Sequence, residues 1–190
     1  MNLAAVTPDE ILDVAIAAAR KGDAGMREVL DQLPAPIYTT DTEGRLTYFN
    51  RACIAFAGRT PQVGRDSWCV TWKLYTEDGE YLPHDACPMA VAVRQKQAVR
   101  GVSAVAERPD GTRVSFIPYP TPLTDEAGEM IGAVNLFVDV TQARQAEYLE
   151  AQALRCRRLA ASVGDERTVT TLKAMAAEYE EQARSRLKPN

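Results

Sequence analysis

The sequence contains no run of roughly eighteen apolar residues, which excludes a helix built to cross a bilayer. Residues 1–6 show no charged n-region leading into an apolar stretch, so the chain reads as soluble and cytoplasmic, with no membrane partner. No Lys/Arg stripe with interleaved aromatics occurs, and the formal net charge is -4. Both argue against nucleic acid as a partner. The four cysteines, Cys53, Cys69, Cys87 and Cys156, form no C-x-x-C pair, which leaves no sign of a zinc site or a thioredoxin-like centre. They read as buried or semi-buried free thiols. There is no glycine-rich nucleotide loop, and His84 is the only histidine. Beyond it no Ser/His/Asp set can form, no paired carboxylates stand out, and His84 sits on no helix-bundle pattern that would make it a phospho-acceptor. The chain does not read as an enzyme or as a histidine kinase.

What is present centres on residues 129–142. From Ile131 to Val140 nearly every residue is apolar: Ile131, Ala133 and Phe137 on one parity, Val134, Leu136, Val138 and Val140 on the other. A strand apolar on both sides must be covered on both sides. Asp139 and Gln142 then fit a capping box, with Thr141 as the competing N-cap. A central strand thus feeds directly into a long helix, the form of a sensor with an output lever. With 46% hydrophobic and 25% charged residues over 190, the chain can bury one ordinary core with helices at its ends.

Taken in order, Thr7-Pro8-Asp9-Glu10 opens a helix over residues 8–21, broken at 22–25. Met26, Val29, Leu30 and Leu33 mark a second, amphipathic helix, which serves dimerisation, sheet capping or plain core packing. Pro34 and Pro36 end it. A hairpin follows, with strands at 37–40 and 45–49 around an Asp41/Gly44 turn, and Asn50 caps a short helix that closes at Gly58. Trp68, Val70, Trp72 and Leu74 alternate with Cys69, Thr71, Lys73 and Tyr75, which predicts an extended or hairpin-like insertion. At Pro83-His84-Asp85-Ala86-Cys87-Pro88-Met89 another helix starts, with Asp85 as a cap and Met89 and Val93 continuing inward. A second hairpin turns at Pro109-Asp110-Gly111. On its return strand Pro118, Pro120 and Pro122 strip donors from one edge, so the ladder there ends near Ile117. The C-terminal part reads as two antiparallel helices. Leu149, Cys156 and Val163, with Gln152 and Leu159 between, form an imperfect heptad seam on the first, and Val169, Leu172, Ala176, Tyr179 and Ala183 mark the second. Arg155, Arg157 and Arg158 read as a solvated face.

The Asp41/Gly44 hairpin, the Asn50-Arg51-Ala52 helix start, the Asp110-Gly111 hairpin, Gly128 before the last strand and the terminal Asp139-Val140-Thr141 together resemble a PAS domain over roughly residues 30–142. The resemblance implies an α+β fold: a five-stranded antiparallel sheet with short helices on one face around a small pocket, here with N-terminal helices and a C-terminal helical hairpin. It divides the chain into a helical extension (1–33), a sensory domain (34–141) and output helices (142–190). It implies sensing, ligand binding or protein association rather than catalysis. The pocket candidates are Phe56, Trp68, Trp72, Met89, Val93, Phe116, Asn135 and Phe137. Asn135 serves a core hydrogen bond or orients a ligand, and the two tryptophans read first as core. Val134, Leu136 and Val138 form the outer face, covered by the N-terminal helix or a second subunit. Asp139, Thr141 and Gln142 form the signal junction. The partners implied are a second copy of the chain, a small-molecule ligand and a signalling protein such as a histidine kinase in trans. No cofactor is obligatory. Some relatives bind haem through a histidine on the helix that His84 begins, which leaves a haem- or redox-bearing sensor using His84 or a cysteine as an alternative. Flavin is disfavoured, because Gly64-Arg65-Asp66-Ser67-Trp68-Cys69 has serine where the light-sensing branch has its reactive cysteine. A small pocket enzyme such as an isomerase would need an acid/base pair, and the inward face offers only Asn135.

Overall fold

The computed structural model describes residues 7–21 and 24–187. The start of the chain (1–6) and the first half of the break at 22–25 lie outside the described residues, as does the side chain of Met26. Helix α1 (Pro8–Lys21) begins as its capping box requires: Glu10 Oε2 accepts from the Thr7 N–H at 2.8 Å, and Thr7 Oγ1 accepts from the Glu10 N–H at 3.3 Å. Its buried stripe is mostly alanine (Leu12, Ala15, Ala18, Ala19), so it can lie close to the sheet. Helix α2 (Ala24–Gln32) buries Leu30 and leaves Val29 exposed. The stripe expected there is therefore narrower than the sequence suggested.

The sheet is antiparallel. Strands β1 (Ile37–Thr40), β2 (Leu46–Phe49), β5 (Ala104–Glu107), β6 (Arg113–Pro118) and β8 (Met130–Asp139) form its five-stranded core in the order β2-β1-β8-β6-β5. A short hairpin, β3 (Lys73–Tyr75) and β4 (Tyr81–Leu82), extends it beyond β5, and β7 (Thr121–Thr124) also pairs with β8. The strands β6 and β7 form one run interrupted at Tyr119-Pro120. Pairing with β5 stops at Phe116, while the β8 side continues through the Tyr119 N–H to the Leu136 carbonyl at 2.9 Å. That is the one-sided loss of donors that prolines two apart produce.

Two readings of the pattern need correction. The alternation at 68–75 yields a strand only from Lys73, where the expected hairpin begins, because residues 66–71 bend with only Ser67 bridged, to Arg45, and Trp68 adopts φ +68°. Ile131 does not face inward with Ala133 and Phe137. The register between β7 and β8 slips there, Leu123 opposing Gly132 and Thr124 opposing Met130, so Met130 packs on the inner core and Ile131 is exposed. The bulge needs Gly132: at φ +151° its backbone lies so close to the Thr40 carbonyl that a Cβ would clash.

The two faces of the sheet are covered differently. Outward, Ile37, Tyr48, Val134 and Leu136 are buried with the α1 stripe and Leu30. Inward, Tyr38, Leu46, Phe116, Ala133 and Phe137 pack beneath α3 (Arg51–Ala57) and α4 (Pro88–Gln95). Helix α4 follows a single 3₁₀ turn over His84–Ala86; its cap position is Cys87, not Asp85, with Pro88 in the first turn.

Residues from Val140 onward form a separate compact unit, the hairpin of α5 (Thr141–Ser162) and α6 (Glu166–Arg186). Val140 occupies the cap position of α5, so Asp139 and Thr141 each lie one residue from the site assigned to them. Asp165 caps α6 by accepting from the Thr168 N–H at 2.8 Å. The seam is built on Ala146, Ala153, Cys156 and Ala160 against Ala176 and Ala183, seven-residue spacing in alanine rather than through Gln152 and Leu159. Leu159 is exposed. Small residues let two antiparallel helices approach closely, which a count of large apolar side chains misses.

Asn50 ties the first half of the domain together. Its Oδ1 accepts from the N–H of Ile37 at 3.0 Å and of Cys53 at 3.3 Å, and its Nδ2 donates to the carbonyls of Leu30 at 3.0 Å and Ala35 at 2.8 Å. The side chain is buried, so truncation strands these groups away from water. Asn50→Ala should lower stability by about 3 kcal/mol, read as an earlier urea midpoint at unchanged slope; a loss under about 1 kcal/mol would show that the amide is a simple helix cap.

Candidate functional site

Helix α3 carries Phe56 into the interior because both ends of this short helix are fixed. Asn50 holds the start, and Gly58 ends it in the left-handed conformation. Arg108, from the β5–β6 turn, donates through Nε to the Phe56 carbonyl at 2.9 Å and through Nη2 to the Ala55 carbonyl at 3.3 Å. Phe56 meets Phe116 edge-on at 5.2 Å between centroids and Phe137 at 4.9 Å, and Phe116 lies 4.4 Å from Phe137. Tyr38 completes the group, edge to Phe137 at 5.5 Å. Met89 and Val93 close it from α4. Such ring geometry is favourable beyond the area buried.

Most of the residues singled out in the sequence therefore converge: Phe56, Met89, Val93, Phe116 and Phe137 share one core, with Trp68 packed against it. Trp72 does not join them. It is 44% exposed, and the Lys73 ammonium stands 4.1 Å above its ring, so it is not core. Asn135 is buried with both ends engaged: Oδ1 accepts from the Tyr119 N–H at 3.0 Å, and Nδ2 donates to the Tyr38 hydroxyl at 3.0 Å.

From Tyr38 a polar chain crosses the interior that the sequence did not reveal. The Tyr38 hydroxyl donates to the Trp68 carbonyl at 2.9 Å, and the Cys87 thiol points at the same oxygen from 3.8 Å. Thr71 Oγ1 donates to Cys69 Sγ at 3.2 Å and lies 3.4 Å from His84 Nε2. Burial, the dominant cause, raises Tyr38 well above its ordinary range, pushes Cys87 up to about 12 and raises Cys69. The two thiols are neutral near pH 7, the inert state of buried cysteine. The only available signal for this network was the coincidence of a tyrosine, two cysteines and a threonine at inward positions of otherwise apolar segments.

His84 is half-buried with Nε2 against Thr71. Among the described residues no group of three or more His, Cys, Asp and Glu side chains could hold a metal ion, and no helix is long and apolar enough to cross a membrane. The outer face has a cavity of about 210 Å³ near Thr39, Thr47, Tyr48 and Ile131. The helical hairpin has a groove of about 490 Å³ over Ala160, Val169 and Ala176.

A five-stranded antiparallel core closed on one face by short helices over an aromatic interior defines an α+β cupping module. The chain belongs to the PAS fold family, whose model matches residues 30–145, more than half of it. No curated protein matches it. Among solved structures it is similar to the LOV domain of a blue-light activated histidine kinase from Erythrobacter litoralis, with 22% identity, TM-score 0.44, and 58% of this chain and 99% of that one covered. It is also similar to the LOV protein of Rhodobacter sphaeroides, with 13% identity, TM-score 0.44, and coverages of 84% and 93%. A third is the PAS domain of the fruit-fly ELK potassium channel, with 12% identity, TM-score 0.49, and coverages of 62% and 95%.

Tyr38→Phe removes the acceptor of Asn135 Nδ2 and the hydroxyl donor to the Trp68 carbonyl. It should cost about 2 kcal/mol and change the tryptophan emission of the folded protein. Unaltered stability and emission would show that the chain of bonds carries no weight.

Proposed function

We propose that this chain is a PAS sensor or adaptor without catalytic machinery of its own. It takes a small, largely apolar ligand or a partner protein in or on the PAS core and transmits through Asp139-Val140-Thr141 into α5 and α6. It works as a homodimer and passes its output to a separate signalling protein, such as a histidine kinase acting in trans. The observation that carries this reading is the double use of β8. The strand presents Asn135 and Phe137 to the interior, and one residue after its end α5 begins. A ligand that repacks Phe137 or competes for the Asn135 amide acts on the strand from which the output helix grows. The inward face supports binding rather than catalysis, since its amide and the Tyr38 hydroxyl are already paired with one another and burial keeps the Cys69 and Cys87 thiols neutral.

Native mass spectrometry of freshly purified protein should show two chains with a small non-covalent adduct, and Phe56→Trp, which fills the interior, should remove the adduct while leaving the dimer. Asn135→Leu should alter amide hydrogen exchange in the first turns of α5. A monomer without adduct, together with α5 exchange indifferent to Asn135→Leu, would overturn the reading.

A further inference from the structure

Between α3 and β3 the chain passes through residues 66–71 as a strap of bends held from both sides, with Ser67 bridged to Arg45 and the Trp68 N–H donating to the Gly44 carbonyl at 2.7 Å. Inside, the Trp68 carbonyl takes the Tyr38 hydroxyl, and Trp68 sits in the left-handed region, which a bulky side chain keeps only where its surroundings force it. The indole fits there because Gly44 leaves it room: a Cβ on Gly44 would overlap the ring. Outside, Arg59 acts as a staple. Its Nη2 reaches Asp66 Oδ2 at 2.6 Å, and Nη1 donates to the carbonyls of Val70 at 3.1 Å and Thr71 at 3.5 Å. Beside the staple lies His84, the only histidine in the chain. Thr71 has one hydroxyl hydrogen for two neighbours. One of them is Cys69 Sγ at 3.2 Å. His84 Nε2, 3.4 Å from Thr71 Oγ1, ties the imidazole to the strap.

We propose that His84 is an acid-operated release for this strap: its protonation sets an imidazolium against the Arg59 staple and frees residues 66–71 from the PAS core beside Tyr38. The release rests on the strap's geometry and not on the proposed ligand. Every charged or titratable group around His84 bears on the sign. Arg59 repels the imidazolium, and Arg94, whose guanidinium stands over the Trp68 ring and donates to the Asp85 carbonyl, adds positive charge on the α4 side. Asp66 and Asp85 attract it, but the Asp66 carboxylate is already spent on Arg59 and the Gln62 N–H at 2.9 Å. Burial first, and then Arg59, hold His84 below its ordinary value of 6.5, against the smaller pull of Asp66 and Asp85. Cys69, Cys87 and Tyr38 stay neutral on acidification, because burial raises all three. A released His84 therefore binds its proton first. The closed strap keeps its full stability above about pH 6.5 and loses it as the pH falls below that value.

Trp68 and Trp72 are the only tryptophans, so Trp72→Phe leaves a single reporter on the strap. In that background the emission should shift to the red between about pH 7.5 and about pH 5, with one midpoint below the ordinary histidine value and unchanged far-ultraviolet circular dichroism. The His84→Gln variant should show no shift. Constant emission, a shift that survives in His84→Gln, or a shift that coincides with loss of circular dichroism would overturn the proposal. Should His84→Gln fail to fold, proton NMR of the unsubstituted chain decides: the His84 ring and the Trp68 indole must titrate together, and an indole that ignores the His84 titration refutes the release.

Discussion

A single buried amide fixes how the first half of the PAS domain is assembled. Asn50 bonds to the last turn of α2, the proline connection, the first residue of β1 and the first turn of α3. With Ile37 held at that end, β1 pairs with β8 from Leu136 back to Ala133, and this register puts Tyr38 opposite Asn135. With Cys53 held, α3 delivers Phe56 onto Phe116 and Phe137. The covered outer face, the aromatic interior and the polar chain thus descend from one side chain whose hydrogen bonds have no substitute in water-free surroundings.

The parts of this arrangement legible in the sequence are those whose cause is local. The Asp41/Gly44 turn and the turn that ends at Gly128 are alike: in each a carboxylate, Asp41 or Asp125, accepts two backbone N–H groups three residues before a glycine with φ +82°. Any such hairpin announces itself. So do the caps at Thr7 and Asn50, and the prolines of β6 and β7, because each acts on backbone groups a few residues away. The two-sided burial of β8 was legible as well, since no side of that strand offers a polar stripe. Asn135 was identified as an inward amide, but which of its possible partners it takes depends on a tyrosine far away in sequence.

What was illegible depends on contacts distant in sequence or on small side chains. Alternation at 68–75 reports that successive residues differ in polarity, not that the backbone is extended. In the strap the inward residues reach the core from turns, and Trp68 holds its unusual φ because Gly44, Arg94 and Tyr38 surround it. Ile131 illustrates the same limit, since a bulge reverses the parity that a period-two reading assumes. In the C-terminal hairpin Cys156, Ala176 and Ala183 stood out by their spacing, whereas Ala146, Ala153 and Ala160 look like surface residues until a second helix lies against them. Trp72 failed for the opposite reason: its size suggested burial, while its neighbour Lys73 holds it at the surface.

The interior of this domain is not simply apolar: besides the Asn50 cluster, polar groups run from β8 toward the surface. Asn135, Tyr38 and the Trp68 carbonyl are joined by direct hydrogen bonds, and Cys69, Thr71 and His84 continue the line to the half-buried surface. In a low-dielectric core each such bond resists breaking more than its net contribution to folding suggests, because the group left behind has no water to turn to. Thr40, whose buried hydroxyl has no hydrogen-bond partner among the described residues, lies outside this line on β1. Its neighbour Tyr38, two residues away on the same strand, is satisfied at both donor and acceptor.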